Sequence, residues 1–121
     1  MIYTGYFAKL RSLPGNVTPV AICAKPPSWY KGLMCKKLAP PYDVLMKYVR
    51  DGDKDDYIQE YRKRVLNRLD PDEVVRELHA LTDKPNIALI CYERPEKFCH
   101  RHLVAEWLNE RGIECLEWGG E

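Results

Sequence analysis

Two short, unbroken apolar runs constrain this chain more than any other feature. They are Thr18–Ala24 (Thr-Pro-Val-Ala-Ile-Cys-Ala) and Asn86–Tyr92 (Asn-Ile-Ala-Leu-Ile-Cys-Tyr). Neither alternates with polar residues, and prolines punctuate both. A strand buried on both faces of a parallel sheet reads in this way, whereas a half-exposed strand alternates. Both runs are therefore expected to be central strands. With 121 residues the chain has room for one ordinary domain, taken here as residues 1–121.

The remaining pattern supplies the partners of those strands. Met1–Tyr6 is a short aromatic and β-branched run, and Ile113–Trp118 sets apolar residues among acids; both read as strands. Tyr42–Val49 has apolar residues at helical spacing and stops at Asp51-Gly52-Asp53. A second helix is expected from Asp55 to Leu69, with Tyr57, Ile58, Tyr61 and Val65 on one face. Asp70-Pro71-Asp72-Glu73 reads as an N-cap, a first-position proline and a capping-box acid, so a third helix begins there. Phe98–Glu110 is the fourth, ending before a glycine cap at Gly112. Trp29–Pro41 is expected to be irregular. The fold class is α/β: a small three-layer fold with a short, mostly parallel sheet of about four strands and about four helices.

Charge is distributed unevenly. The formal net charge is +1. Residues 1–50 nevertheless hold eight lysines and arginines against the single acid Asp43, and the rest of the chain is net acidic. A uniformly basic nucleic-acid binder is excluded, while a basic face on the first half is retained. No apolar run approaches the ~20 residues of a membrane helix, so no membrane partner is expected. The five cysteines are odd in number and form no CxxC pair. Reduced thiols in a cytoplasmic protein are the expectation.

In open parallel sheets, ligands sit beyond the carboxyl ends of strands, where loops enter helices. The densest polar cluster in the chain is at such a position: Cys91-Tyr92-Glu93-Arg94-Pro95-Glu96-Lys97-Phe98-Cys99-His100-Arg101-His102. A helix N-terminus favours anions and lowers a thiol pKa, which makes Cys99 a candidate thiolate or a buried small hydrophobe. Cys91 continues the apolar run and reads as structural. His100 shares the inward face with Leu103, Val104 and Trp107, so a core histidine bonded to backbone competes with a catalytic one. Arg101 is a cation at the wrong end of a helix, which implies a partner anion: a ligand or Glu93. Glu93 lies where a base would be placed.

Cys91, Cys99, His100 and His102 are zinc-type residues, but the spacing fits no usual zinc pattern. Consecutive helical residues also point about 100° apart. No metal and no other cofactor is expected, with a metal site kept as a third possibility. A phosphatase-type cysteine loop wants arginine six residues on; Lys97 and Ala105 occupy those positions. A second constellation combines Lys9, Arg11 and Lys25 with Trp29, Tyr30, Lys31, Lys36 and Lys37, positive charge interleaved with rings. Lys25 is expected to emerge at the same sheet edge as Glu93, and Trp29 and Tyr30 to stack a ring or fill the core.

Cys91–Leu108 resembles the Cys-x-Glu…Cys-His-Arg signature of the bacterial, archaeal and phage family called domain of unknown function 488. Ile-Tyr-Thr-Gly-Tyr at the start is similar to that family's first strand and glycine. Val20–Tyr30 resembles its second strand and loop. The resemblance implies a site of Glu93, Cys99, His100 and Arg101. Gly5, Lys25, Trp29 and Tyr30 are the candidate binding residues beside it. Many members carry Asp-x-Arg after the second strand, where this chain has Cys23-Ala24-Lys25.

Acid, base, thiol and cation at a strand-to-helix switch point to a pocket for a small anionic substrate, a nucleotide or a nucleic-acid end. Arg101 and Lys25 hold the anion, Glu93 or His100 moves the proton, and Cys99 acts as a thiolate or orients the others. The alternative is a non-catalytic module that binds nucleic acid or protein through the basic loop 25–37. Exposed sheet edges on so small a domain make a homodimer the expected assembly.

Overall fold

The computed structural model describes residues 1–92 and 98–119. Among the described residues, five strands form one sheet in the order β3-β2-β4-β1-β5. They are β1 (Ile2–Tyr6), β2 (Val17–Ala21), β3 (Leu33–Met34), β4 (Asn86–Cys91) and β5 (Cys115–Glu117). Every pairing is parallel. The two apolar runs become β2 and β4, which lie side by side, and β4 is buried from Ile87 to Cys91. The α/β class stands, with one strand more than the sequence pattern predicts. The extra strand is β3, inside the stretch expected to be irregular. Two residues long, it has no periodicity of its own and exists because Ala21 and Val20 offer it a ladder.

Four α-helices occur among the described residues: α1 (Tyr42–Asp51), α2 (Lys54–Arg64), α3 (Pro71–Ala80) and α4 (His100–Glu110). Gly52 separates the first two in a left-handed conformation (φ 67°) that favours glycine. Asp53 caps α2 through the Asp56 amide, and Asp70 caps α3 through the Asp72 amide. The second helix ends earlier than predicted, at Arg64, and a 3-10 turn over Leu66–Arg68 carries Leu66 into the core. Asp70 also accepts from Arg111 at 3.3 Å. Replacing it by alanine removes the cap and this exposed pair, and should cost about 1 kcal/mol in urea denaturation. No change on Asp70→Ala would mean that Pro71 alone sets the helix start.

Right-handed crossovers put the four helices on one face of the sheet. Ring contacts Tyr57–Phe98 and Tyr61–His100 join α2 to α4 and its approach, and Arg62 pairs with Glu106. The third layer is thin. It consists of a 3-10 turn over Phe7–Ser12 and the loop after β2, where Phe7 meets the rings of Trp29, Tyr30 and Tyr92. Trp118 closes the same face, edge-on to Tyr3 and donating to the Ser12 hydroxyl. No helix among the described residues is long and apolar enough to cross a membrane.

Candidate functional site

The topology creates one crevice. β2 passes the chain to β3 at one edge, and β4 passes it to β5 at the other. The carboxyl ends of the adjacent strands β2 and β4 therefore diverge, which is where ligands bind in open parallel sheets. A cavity of about 490 Å³ opens there. Cys23, Ala24 and Lys25 form its β2 side, and Cys91 and Tyr92 its β4 side. Helices α1 and α2 supply a wall that includes Tyr48, Tyr57, Leu45 and Met46, and Phe98 lies beside it. Tyr92 donates its hydroxyl to the Lys25 carbonyl, tying the two loops together. Among the described lining residues Lys25 is the only permanent cation.

Cys91, Cys99 and His100 also line this cavity. Cys91 and Cys99 are joined by a disulfide. The expectation of five reduced thiols is thus corrected for this pair, eight residues apart. Cys91 ends β4 and Cys99 is the N-cap of α4. The remaining thiols, on Cys23, Cys35 and Cys115, are free. Burial raises the pKa of all three, Cys115 to about 12, so they stay protonated at neutral pH.

His100 is 5% exposed. Its Nε2 lies 2.7 Å from the Ile22 carbonyl oxygen, which can only accept, so Nε2 carries the proton. Burial, with the Arg101 charge as a lesser cause, lowers its pKa from 6.5 to about 4. The neutral ring therefore keeps its lone pair on Nδ1, 3.9 Å from the Cys99 sulfur. The donor atoms of Cys91, Cys99 and His100 all lie within 4.8 Å of one another. The spacing argument against such convergence fails for a local reason. Cys99 is not helical but extended (φ −150°, ψ 146°), so the angular rule for neighbouring helical residues does not apply to it.

Arg101 is fully buried. Its Nε and Nη2 each donate at 3.1 Å to the two carboxylate oxygens of Glu117, a bidentate fork. Nη1 approaches the Cys91 sulfur at 3.4 Å, and the guanidinium lies 5.5 Å from the Tyr6 ring centre. Sheet register explains the convergence: Tyr6 pairs with Cys91 and Thr4 with Glu117, on the face beneath α4. Thr4 donates to Glu117 at 2.7 Å. Glu117 is one protein anion for this misplaced cation, and Glu93, the candidate from the sequence, lies outside the described residues.

A family model described as the active DUF488-N3 subclade matches residues 10–112. The chain belongs to this family. No curated protein matches the chain, and no solved structure does.

In this DUF488 protein the predicted residues divide into three groups. Cys99, His100 and Lys25 line one cavity. Arg101 lies behind it in the core. Gly5, Trp29 and Tyr30 do not line it. Gly5 sits mid-strand, where an added Cβ would come 3.2 Å from the Ile90 side chain. Tyr30 binds the Leu33 and Pro19 carbonyls, and Trp29 stands on Phe7, 60% exposed. Glu93 lies outside the described residues. Sequence reasoning missed Glu117 and the cavity role of Tyr48, Tyr57 and Phe98. Glu117 carried a signal: it shares the inward phase of β5 with buried Cys115, two residues before it.

Proposed function

We propose that this DUF488 protein is an enzyme acting on a small ligand that joins a planar ring to an anionic group, as a nucleoside monophosphate does. The observation that carries this reading is the composition of the crevice between β2 and β4. Its wall is aromatic and apolar, its rim holds Lys25, and its floor holds two sulfurs and a neutral imidazole. A volume of about 490 Å³ suits a ligand of that size. The N-terminus of the eleven-residue helix α4 adds partial positive charge beside the floor. The subclade's description as active agrees with an enzyme. Chemistry is assigned to the sulfurs of Cys91 and Cys99 and to Nδ1 of His100. The family motif alone assigns Glu93 as the acid or base. Arg101 is reassigned as a positioning residue that holds β5, β4 and α4 in register.

Calorimetric titration of nucleoside monophosphates into the protein tests this. Lys25→Ala and Tyr48→Ala should each weaken binding about tenfold or more, equivalent to about 1.4 kcal/mol. Absence of binding across the four common bases, or binding indifferent to Lys25→Ala, would refute it. The loop 25–37 module predicts a different result: polynucleotide binding that is steep in salt and lost with Lys31 and Lys36. Lys37 is less available for that role, since it pairs with Glu77.

A further inference from the structure

We propose that, once the disulfide is reduced, Cys91, Cys99 and His100 hold one divalent ion of the zinc class, with its fourth position open to the crevice. The inference shares the floor of the proposed active site but does not rest on the identity of the ligand bound above it.

Three observations carry it. The first is the donor set. Two sulfurs and one imidazole suit a borderline-soft ion, and three protein ligands with one open position is the arrangement of catalytic zinc. The second is orientation. Nε2 of His100 is committed to the Ile22 carbonyl at 2.7 Å, which fixes the tautomer and aims the Nδ1 lone pair at the sulfurs. Backbone anchoring of the far nitrogen is how metal-bound histidines are held. The third is placement. All three residues are buried yet line the crevice, so an ion here would face both a closed protein shell and an entry path. Their donor atoms already lie within 4.8 Å of one another. In a tetrahedral site with metal–sulfur bonds of about 2.3 Å, the ligand atoms stand about 3.3–3.8 Å apart. Opening the sulfur–sulfur bond lets side-chain torsions reach that spacing. Nη1 of Arg101, 3.4 Å from the Cys91 sulfur, would then donate to a metal-bound thiolate.

The chemistry balances with a thiol reductant. A dithiol gives two electrons and two protons to the Cys91–Cys99 bond and becomes a disulfide itself. The divalent ion then displaces two protons from the two thiols into solvent, and neutral His100 contributes only its lone pair.

Cobalt(II) is the probe, added anaerobically to the reduced protein without substrate. One equivalent should produce tetrahedral visible bands and a sulfur-to-cobalt charge-transfer band, both bleached by one equivalent of zinc. Air-oxidised protein should show neither. Cys91→Ser and Cys99→Ser should each weaken binding at least tenfold and reduce the charge-transfer band. His100→Gln should shift the visible bands and keep charge transfer. Cys35→Ser and Cys115→Ser, outside the crevice, should behave as wild type. A reduced wild-type protein that gives no tetrahedral spectrum overturns the proposal, whatever the variants do. A spectrum that survives Cys91→Ser but fails in Cys23→Ser overturns it equally. Nucleotide binding is measured on the oxidised, metal-free protein, so the two readings fail separately.

Discussion

Arg101→Ala should lower stability by about 3–5 kcal/mol, a large part of the 5–15 kcal/mol available to a domain of this size. The side chain is fully buried, and its fork to Glu117 spans from α4 to the edge strand β5. β5 is only three residues long, so few backbone bonds hold it. Truncation leaves the Glu117 carboxylate, with a side chain only 17% exposed, without this cation. It also leaves a cavity over Tyr6 and Cys91. Arg101→Met should recover part of the loss by filling that volume, and Glu117→Gln should cost less than Arg101→Ala, because its amide oxygen still accepts. Urea denaturation followed by circular dichroism measures all three. A loss under about 0.5 kcal/mol for Arg101→Ala would show that the pair is energetically idle. The ordering matters for function, because lost activity in Arg101→Ala would report unfolding as readily as lost chemistry.

The same arginine marks how far the sequence could be read. Its position against the helix field was legible and correctly demanded an anion. The Glu117 fork was not legible, because that carboxylate stands sixteen residues away on a strand whose register is set by β1. The central strands, the Asp70 cap, Gly52 and the inward face of α4 were legible, because each rests on local periodicity or on one backbone rule. β3 was not, since a two-residue strand is defined by its neighbour. Cys99 and His100 were singled out by their place at a strand-to-helix junction. Their convergence with Cys91 was hidden because it depends on the extended backbone of a single residue, Cys99. Part of the aromatic wall was visible only as helix stripe: Tyr57 has core spacing whether it faces a crevice or solid packing.

His100 gives the second large effect, through pH. In the disulfide form its imidazole is neutral, with a pKa lowered to about 4 by burial. The surroundings offer the proton little: the Tyr61 ring lies 5.5 Å away, and Arg101 and His102 add positive charge. Among the described residues the Ile22 carbonyl alone favours the charged ring. An unfolded chain protonates this histidine near 6.5, so between those values the unfolded state binds more protons than the native state. Stability therefore falls as pH drops from about 6.5 toward 4, and is unaffected by this group above 6.5. The loss should be about 2 kcal/mol at pH 5 and about 3 kcal/mol once the pH is below both values. His100→Gln can still donate an amide hydrogen to Ile22 and cannot titrate. Its urea midpoint should be lower than wild type at pH 7.5, yet change far less on acidification. Other carboxylates and histidines titrate in both proteins, so the difference between the two profiles isolates this ring. Parallel profiles from pH 7.5 to 4.5 would mean that His100 is solvated or already charged in the native state. The fixed Nδ1 lone pair at the floor of the crevice would then be lost.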